Sequence, residues 1–307
     1  HSISGTSITA TGGSYIGSVN TIGGHVEIEH CPEDSSSNEM FAYIYSEGSN
    51  KYARSLNMSS GAYGTAVSLG SASVSRFGYY TDALSHDPEN DKFMATWRVG
   101  STDQVQVRGF SMSSGSISTF GGAQLVTYYG QGNSTVLRGY TDTDNNCFVL
   151  VYVGKGTASH WGQVTGNSTE FNSSTDAGGD GTYAVPVKVG SSNLEVKNPI
   201  LVWKGAPSSQ HIDVTYNSNK KCGVIVSYHE ANTFFTTLLL NDTGGSVGSR
   251  TLFAHAINGH ALVYSSNAND VVWFNGHDND IHYFVPRVGY NNLAYIGMAS
   301  SAISDGA

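Results

Sequence analysis

Short apolar runs alternate with polar turns along the whole chain, and the alternation follows one repeated order. Each repeat has an Asn, Asp or Lys turn, an apolar strand, a polar turn, and a second strand whose apolar and polar residues alternate. The repeats are SNEMFAYIYSEGSNKYARSLNMSSG, ENDKFMATWRVGSTDQVQVRGFSMSSG, DNNCFVLVYVGKGTASHWGQVTGNS, NKKCGVIVSYHEANTFFTTLLLNDTGG and NANDVVWFNGHDNDIHYFVPRVG. The pattern predicts one supersecondary unit used repeatedly.

Further strands flank these repeats. Upstream lie HVEIEHC, RFGYYTDA, TVLRGYTDT, HIDVTYNSN and HALVYSSN, and downstream of some repeats lie YGTAVSLG, ISTFGGAQLV and SRTLFAHAI. Four antiparallel strands per unit is the anatomy of a β-propeller blade. The sequence therefore predicts an all-β protein, a β-propeller of four-stranded antiparallel blades.

The blade count follows from matched positions in the apolar strands, which are Phe41, Phe93, Phe148, Gly223 and Val271. Three of the four steps between them are similar. The longer step contains VPVKVGSSNLEVKNPILVWKG, residues 185–205, interpreted as an extended outer strand with an inserted hairpin. Five blades are favoured, and six remain possible if this region forms a blade of its own.

The core is predicted from runs that are apolar on both faces, such as FVLVYV and GVIVSY, because a central strand lies between neighbouring blades. Trp97 and Trp273 fall in such strands and are expected to be buried. Three cysteines, Cys31, Cys147 and Cys222, show neither a CxxC pattern nor Cys/His metal spacing. No disulfide framework and no metal site are predicted, and Cys147 and Cys222 are expected to be buried.

The two ends of the chain carry a prediction about closure. HSISGTSITATGGSYIGS resembles the late part of a repeat, so this N-terminal strand is expected to close the last blade. Residues 1–290 are predicted to form the propeller. Residues 291–307, NNLAYIGMASSAISDGA, are predicted to be an exit linker toward a further C-terminal module, and His1 to begin a processed or partly observed piece of a longer polypeptide.

Charge and hydropathy argue against two classes of partner. The formal net charge is −9 and no basic run occurs, which disfavours nucleic acid and anionic lipid. No apolar stretch approaches the roughly 18–20 residues that span a bilayer, so membrane insertion is not expected. No cofactor is predicted.

The connecting strands YGTAVSLGSASV and SGTSIT, followed by YIGMASSAISDGA, resemble those of propeller-repeat structural and tail-fibre-like proteins of tailed bacteriophages, particularly phages of marine bacteria. The resemblance covers most of the chain and is architectural, so it transfers no catalytic residue. It implies a virion or extracellular location and a partnership with other virion or fibre subunits. It also implies a homo-oligomer, with a trimer expected for a fibre.

Catalytic motifs are mostly missing. GGSVG matches the G-x-S-x-G pattern, but it lies between two strand-like runs, so a hairpin is expected there and Ser246 is not expected to be a nucleophile. No sialidase-type turn or arginine cluster is found. Paired carboxylates for glycoside cleavage are recognised by their separation in space and stay open as an alternative. No catalytic residue is predicted.

Ligand-binding residues are sought in the turns. DTDNN, residues 142–146, matches the start of a calcium loop but lacks its Gly and its final Glu, so turn chemistry is expected. GHDNDIH is the densest polar cluster, and a solvated hairpin or a metal or glycan contact both fit it. The candidate binding residues are His160, Trp161, Tyr128, Tyr129, His277, Asp278, Asp280 and His282. Packing in the core or between subunits is the alternative for the aromatic ones.

These observations favour a non-enzymatic virion structural or adhesion protein, a tail-fibre or appendage propeller that presents loops for attachment to a host-surface glycan. A closed propeller hides its strand edges and presents variable loops on rigid blades. Two alternatives remain. A secreted propeller lectin predicts equivalent aromatic residues in every blade, and a glycan-degrading enzyme requires a close acidic pair in one pocket.

Overall fold

The computed structural model describes residues 2–4, 7–9, 26–31, 40–72, 82–99, 104–127, 136–155, 180–190, 192–204, 212–229, 232–241, 244–249, 251–255, 259–266, 269–277, 280–284, 286–288 and 293–295. Within these ranges every regular element is a β-strand. The described part of the chain holds no helix of the length and hydropathy needed to cross a membrane.

Twenty-five strands follow one another along the chain. They are β1 (Ser2–Ser4), β2 (Ser7–Thr9), β3 (Glu27–Cys31), β4 (Met40–Glu47), β5 (Asn50–Asn57), β6 (Val67–Ser71), β7 (Asp82–Asp87), β8 (Lys92–Val99), β9 (Gln104–Ser113), β10 (Ser116–Thr127), β11 (Leu137–Asp142), β12 (Cys147–Lys155), β13 (Asp180–Val189), β14 (Leu194–Val196), β15 (Ile200–Lys204), β16 (Ile212–Asn217), β17 (Cys222–His229), β18 (Asn232–Asn241), β19 (Gly244–Val247), β20 (Thr251–His255), β21 (Gly259–Ser265), β22 (Asp270–His277), β23 (Asp280–Phe284), β24 (Pro286–Val288) and β25 (Leu293–Tyr295).

The strands form five consecutive antiparallel sheets, each a meander in chain order. The first is β3-β4-β5-β6 and the second β7-β8-β9-β10. In the third, β11-β12-β13, the outer position is shared by β14 and β15, which both pair with β13. The fourth repeats this design, with β19 and β20 on β18. The fifth is β21-β22-β23.

The sheets are the blades of a β-propeller. The first strands of successive sheets, β3, β7, β11, β16 and β21, lie next to one another, so they are the inner strands around a common axis. Each pair of successive sheets encloses its own apolar core, and a smaller fifth cluster of Tyr43, Tyr45 and Leu56 lies within the first blade. The predicted fold class is therefore confirmed.

The matched positions of the sequence pattern coincide in the structure. Each is the second residue of the second strand of its blade, and they are Phe41, Phe93, Phe148, Gly223 and Val271. Trp97 and Trp273 are fully buried, as predicted. The two cysteines that precede matched positions, Cys147 and Cys222, are also buried.

The third blade differs in detail from its prediction. Its third strand is β13, whereas the repeat pattern assigned that strand to the segment directly after Lys155. Residues 185–205 do not form a sixth blade, because they complete β13 and supply the two-piece outer strand β14 and β15. In the second blade the inner strand begins at Asp82, at the end of the predicted RFGYYTDA run.

Two hairpins lie outside the five sheets. β1 pairs with β2, and β24 pairs with β25. Among the described strands, the fifth blade has no fourth strand, and residues 10–18 of the predicted N-terminal closing segment lie outside the described residues. Closure by the N-terminus stays a prediction. So does the boundary at residue 290, although Leu293–Tyr295 in the predicted linker pairs with Pro286–Val288.

Candidate functional site

The antiparallel meander gives the propeller two different edges. At one, named here the turn edge, inner strands end and second strands begin. At the other, the loop edge, inner strands begin, second strands end and third strands begin. The register shows this directly, since Asp142 pairs with Cys147 at the turn edge and Lys155 pairs with Asp180 at the loop edge.

The turn edge is built from one recurring turn. In the third blade, Asp142 accepts hydrogen bonds from the backbone N–H and the side-chain amide of Asn145, both at 3.0 Å. Asp87 accepts hydrogen bonds from the backbone N–H of Glu89 and the side-chain amide of Asn90. Asn217 accepts one from the backbone N–H of Lys220. The residue before the second strand has a positive φ, 48° at Asn146, where Asn is well tolerated. The expected turn chemistry of DTDNN is confirmed.

Near the loop edge, the inner strands place charged residues in one layer. Glu27, Arg138 and Asp213 each lie four residues before the last residue of their strand. Arg138 Nη1 is 3.7 Å from Glu27 Oε1, and Arg138 Nε is 3.4 Å from Asp213 Oδ1. The guanidinium of the third blade thus joins carboxylates of the first and the fourth. Alanines 83 and 261 occupy the same position in the other two blades.

Two carboxyls of β3, Glu27 in this layer and Glu29 beside it, have raised pKa values. Burial raises the pKa of Glu27, and the positive charge of Arg138 lowers that pKa in part. Glu29, two residues further along β3, has a pKa raised to about 7, first by burial and then by repulsion from Glu27. A carboxyl with a pKa near neutrality both donates and accepts a proton at physiological pH, which is a property of general acids and bases.

The layer is therefore an acidic cluster with one cation at its centre. Its charges fit a polyol or a cationic group, because carboxylates accept hydrogen bonds from hydroxyls and Arg138 donates them. All its members project from strands, so their positions are fixed by the sheet register.

Five of the eight predicted ligand-binding residues are not among the residues that the structure describes. Tyr128, Tyr129, His160, Trp161 and Asp278 lie outside the described residues. The strand ends that bracket them are described, and they are Thr127 and Leu137, Lys155 and Asp180, and His277 and Asp280. All six of these strand ends are at the loop edge, the edge that also carries Glu27, Arg138 and Asp213.

The described residues of GHDNDIH belong to the paired strands β22 and β23. β22 ends at His277, which pairs with Asp280 at the start of β23, and His282 pairs with Asn275. The structure describes the backbone of residues 276–277 and 280–282 only, so the choice between a solvated hairpin and a metal or glycan contact stays open. GGSVG is also a strand, since Gly244–Val247 pairs with β18, so the hairpin expected around Ser246 is confirmed.

The charged layer was not predicted from the sequence. Its signal is a polar residue at one fixed place in inner strands that otherwise resemble the rest of the repeat, as in HVEIEHC, TVLRGYTDT and HIDVTYNSN. Aligning the inner strands on their last residue puts Glu27, Arg138 and Asp213 in one column. That alignment requires the strand ends, which the structure supplies.

No protein-family model matches the sequence, and no curated protein matches it. Solved structures do resemble it. TolB from Acinetobacter baumannii is 16% identical, with a TM-score of 0.42 over 80% of this chain and 48% of that one. The β-propeller domain of the Trilobed protease from Pyrococcus furiosus is 9% identical, with a TM-score of 0.40 over 80% of this chain and 65% of that one.

Prolyl oligopeptidase B from Galerina marginata is 11% identical, with a TM-score of 0.46 over 91% of this chain and 35% of that one. The chain spans less than two thirds of each of these proteins. Likenesses at this level bear on neither activity nor partners.

Proposed function

We propose that this chain is a non-enzymatic attachment module, a propeller on a bacteriophage tail fibre or related virion appendage that binds a host-surface glycan at its loop edge. The observation that supports the proposal is that the strand ends flanking the predicted binding residues and the charged layer lie at the same edge of the propeller. The strand ends that bracket Tyr128, Tyr129, His160 and Trp161 lie at the loop edge, beside the charged layer. Aromatic side chains stack on the faces of sugar rings, and carboxylates accept hydrogen bonds from sugar hydroxyls. The two together suit a carbohydrate site.

The proposed setting is the outside of a virion. Its partners would be other fibre or virion subunits and further copies of this chain, arranged as a trimer. A rigid set of blades suits this work because loops carried on a stable scaffold vary without loss of fold. Light scattering of the purified chain, with and without its neighbouring fibre modules, measures the predicted trimer.

The test of binding uses an array of purified lipopolysaccharides and capsular polysaccharides from marine bacteria. Trp161→Ala and the double variant of Tyr128→Ala with Tyr129→Ala are expected to lower affinity for the bound polysaccharide about tenfold or more, the effect of losing roughly 1.4 kcal/mol. Asn219→Ala, an exposed residue of the turn edge, is the matched control. No binding by the wild type, or equal loss in the control, contradicts the proposal.

A second function has one specific observation in its favour. Glu29, with a pKa of about 7 beside Glu27, has the property of a general acid in glycoside cleavage. A glycan-degrading enzyme predicts release of reducing ends from the polysaccharides that bind, and loss of that release in Glu29→Gln. Binding without release, equal in wild type and Glu29→Gln, favours the attachment module. A secreted lectin shares the binding result but not assembly with fibre subunits.

A further inference from the structure

A thiol, an imidazole and a carboxylate meet at the turn edge, between the first and second blades. Cys31 ends β3, His86 lies near the end of β7, and Asp91 immediately precedes β8. Cys31 Sγ is 3.3 Å from Asp91 Oδ1, and His86 Nε2 is 3.6 Å from the same oxygen. One ligand atom from each residue lies within 4.8 Å of the other two.

The other described blade interfaces place different chemistry at the same three positions. These are the last residue of one inner strand, the penultimate residue of the next inner strand, and the residue before the next second strand. Between the second and third blades these positions hold Asp87, Thr141 and Asn146. Between the third and fourth they hold Asp142, Tyr216 and Lys221, and between the fourth and fifth Asn217, Tyr264 and Asn269. Hydrogen bonds and ion pairs between oxygen and nitrogen groups close these interfaces, such as the ion pair of Lys221 Nζ in the fourth blade with Asp144 Oδ1 in the third, at 2.7 Å.

At the first interface these three positions hold a thiol, an imidazole and a carboxylate, which are all common metal ligands. We propose that Cys31, His86 and Asp91 bind a zinc ion with an open fourth position. The ligand atoms of a tetrahedral zinc site lie about 3.3–3.5 Å apart, given Zn–S of about 2.3 Å and Zn–N and Zn–O of about 2.0–2.1 Å. The distances from Asp91 Oδ1 to Cys31 Sγ, 3.3 Å, and to His86 Nε2, 3.6 Å, are close to these values.

The surroundings hold each ligand in place. The ring of His86 stacks on Phe93 with centroids 4.3 Å apart, and its backbone carbonyl accepts a hydrogen bond from Thr141 at 2.5 Å. Asp91 follows the turn closed by Asp87 and has a positive φ of 49°. Ligands fixed by neighbours of this kind bind a metal with less reorganisation.

The three proposed ligands differ in their exposure to solvent. Cys31 is fully buried and the side chain of His86 is 7% exposed, while that of Asp91 is 37% exposed. Solvent therefore reaches the site past Asp91, and a water molecule or another small donor takes the fourth position. The ion links the first blade to the second, since Cys31 comes from one and His86 and Asp91 from the other.

Binding changes the protonation of the site. The thiol of Cys31 loses its proton to solvent as the sulfur–zinc bond forms, and the imidazole of His86 binds through neutral Nε2. Calorimetry in two buffers of different ionisation enthalpy is therefore expected to show release of about one proton per zinc ion at neutral pH, the proton of the Cys31 thiol.

The experiment uses the full chain after removal of metal by a chelator. Titration with ZnCl₂ is expected to saturate at one ion per chain, and CoCl₂ is expected to give a thiolate-to-cobalt charge-transfer band and the visible bands of tetrahedral cobalt. Cys31→Ser and Asp91→Asn are each expected to lower zinc affinity by more than about 100-fold, because changes outside the ligand set already cost 10–100-fold.

Asp91→Asn is the variant expected to fold as the wild type does, so a loss of zinc binding in it reports on the ligand. Asn occupies the same left-handed position in the third and fifth blades, at Asn146 and Asn269, so the turn accepts it. Cys222→Ala is the matched control, a buried cysteine at another interface, and it should bind zinc as the wild type does. Zinc bound equally well by Asp91→Asn, or cobalt bound without a thiolate band, overturns the site. Failure of the wild type to bind zinc overturns it as well.

Discussion

The ammonium of Lys51 and the carboxylate of Asp82 form an ion pair across the first blade interface, with Nζ 2.5 Å from Oδ2. Lys51 belongs to β5 and Asp82 begins β7, and their side chains are 1% and 4% exposed. Two charges removed from water in this way depend on each other, because either one alone would be buried without compensation.

Asp82→Ala is therefore expected to lower the free energy of unfolding by about 3–5 kcal/mol, measured by urea denaturation. Glu195→Ala is the control, since it removes an ion pair with Lys197 whose side chains are 61% and 37% exposed. That change should cost no more than about 1 kcal/mol. Similar costs for the two variants would show that burial of the Lys51 pair has no energetic consequence.

Gly223 is a second position where packing sets a requirement. The other blades carry Phe or Val at its matched position, but here the ring and hydroxyl of Tyr140 fill the space. A Cβ on residue 223 would overlap the phenol of Tyr140, which is buried against Tyr216 in a stacked pair with centroids 6.1 Å apart.

Gly223→Ala is expected to lower the free energy of unfolding by about 1–3 kcal/mol, the usual cost of overpacking. The matched control is Gly122→Ala, because a Cβ there meets no atom within 4 Å. Its stability should be unchanged or raised by up to about 1 kcal/mol. Thermal denaturation of both variants checks the pair, and a harmless Gly223→Ala would mean that Tyr140 moves aside.

Glu29 predicts a dependence of stability on pH. Its folded-state pKa of about 7 lies above the ordinary value of 4.5, so the folded chain holds this proton more tightly than the unfolded chain. The associated stability is present below about pH 4.5 and is lost as the pH rises through 7, by up to about 3 kcal/mol.

Urea denaturation at several pH values from 4 to 8 measures this loss. Glu29→Gln is expected to flatten the profile and to exceed the wild type in stability at pH 8 while matching it near pH 4. Glu195→Gln, at an exposed carboxyl, should leave the wild-type profile in place. An unchanged profile in Glu29→Gln would locate the titration elsewhere.

The thiols of Cys147 and Cys222 are expected to be unreactive in the folded chain. Burial, the largest cause, raises their pKa values to about 12 and about 11, and each residue is 2% exposed. In the variant Cys31→Ser, a thiol-specific disulfide reagent at pH 8 should titrate neither cysteine until guanidinium is added. Rapid reaction of either thiol without denaturant would contradict their burial.

The sequence was sufficient for the repeat and the core. Phe41, Phe93 and Phe148 were matched from the repeated order of turns and apolar strands, and each is the second residue of its second strand in the structure. Trp97 and Trp273 were placed in the core because apolar runs of a central strand are covered on both faces.

Pairing between distant segments was harder to predict. β13 follows β12 only after a long connection, and another alternating segment lay closer in the chain. Local pattern does not decide between two segments of similar composition, since the choice depends on tertiary packing.

Side-chain clusters formed across blades were missed for the same reason. Cys31 and Asp91 are 60 residues apart, and Glu27 and Asp213 come together only through Arg138 of a third blade. Spacing along one segment carries no information about such contacts.

The recurring turn has a consequence for how successive blades join. Its left-handed residue stands directly before the second strand in four blades, at Asp91, Asn146, Lys221 and Asn269. A further blade inserted between two such turns would meet, at each junction, a backbone geometry that the neighbouring blades already contain. The turn is thus a repeated junction, and the four-stranded sheet between two junctions is the unit that the fold repeats.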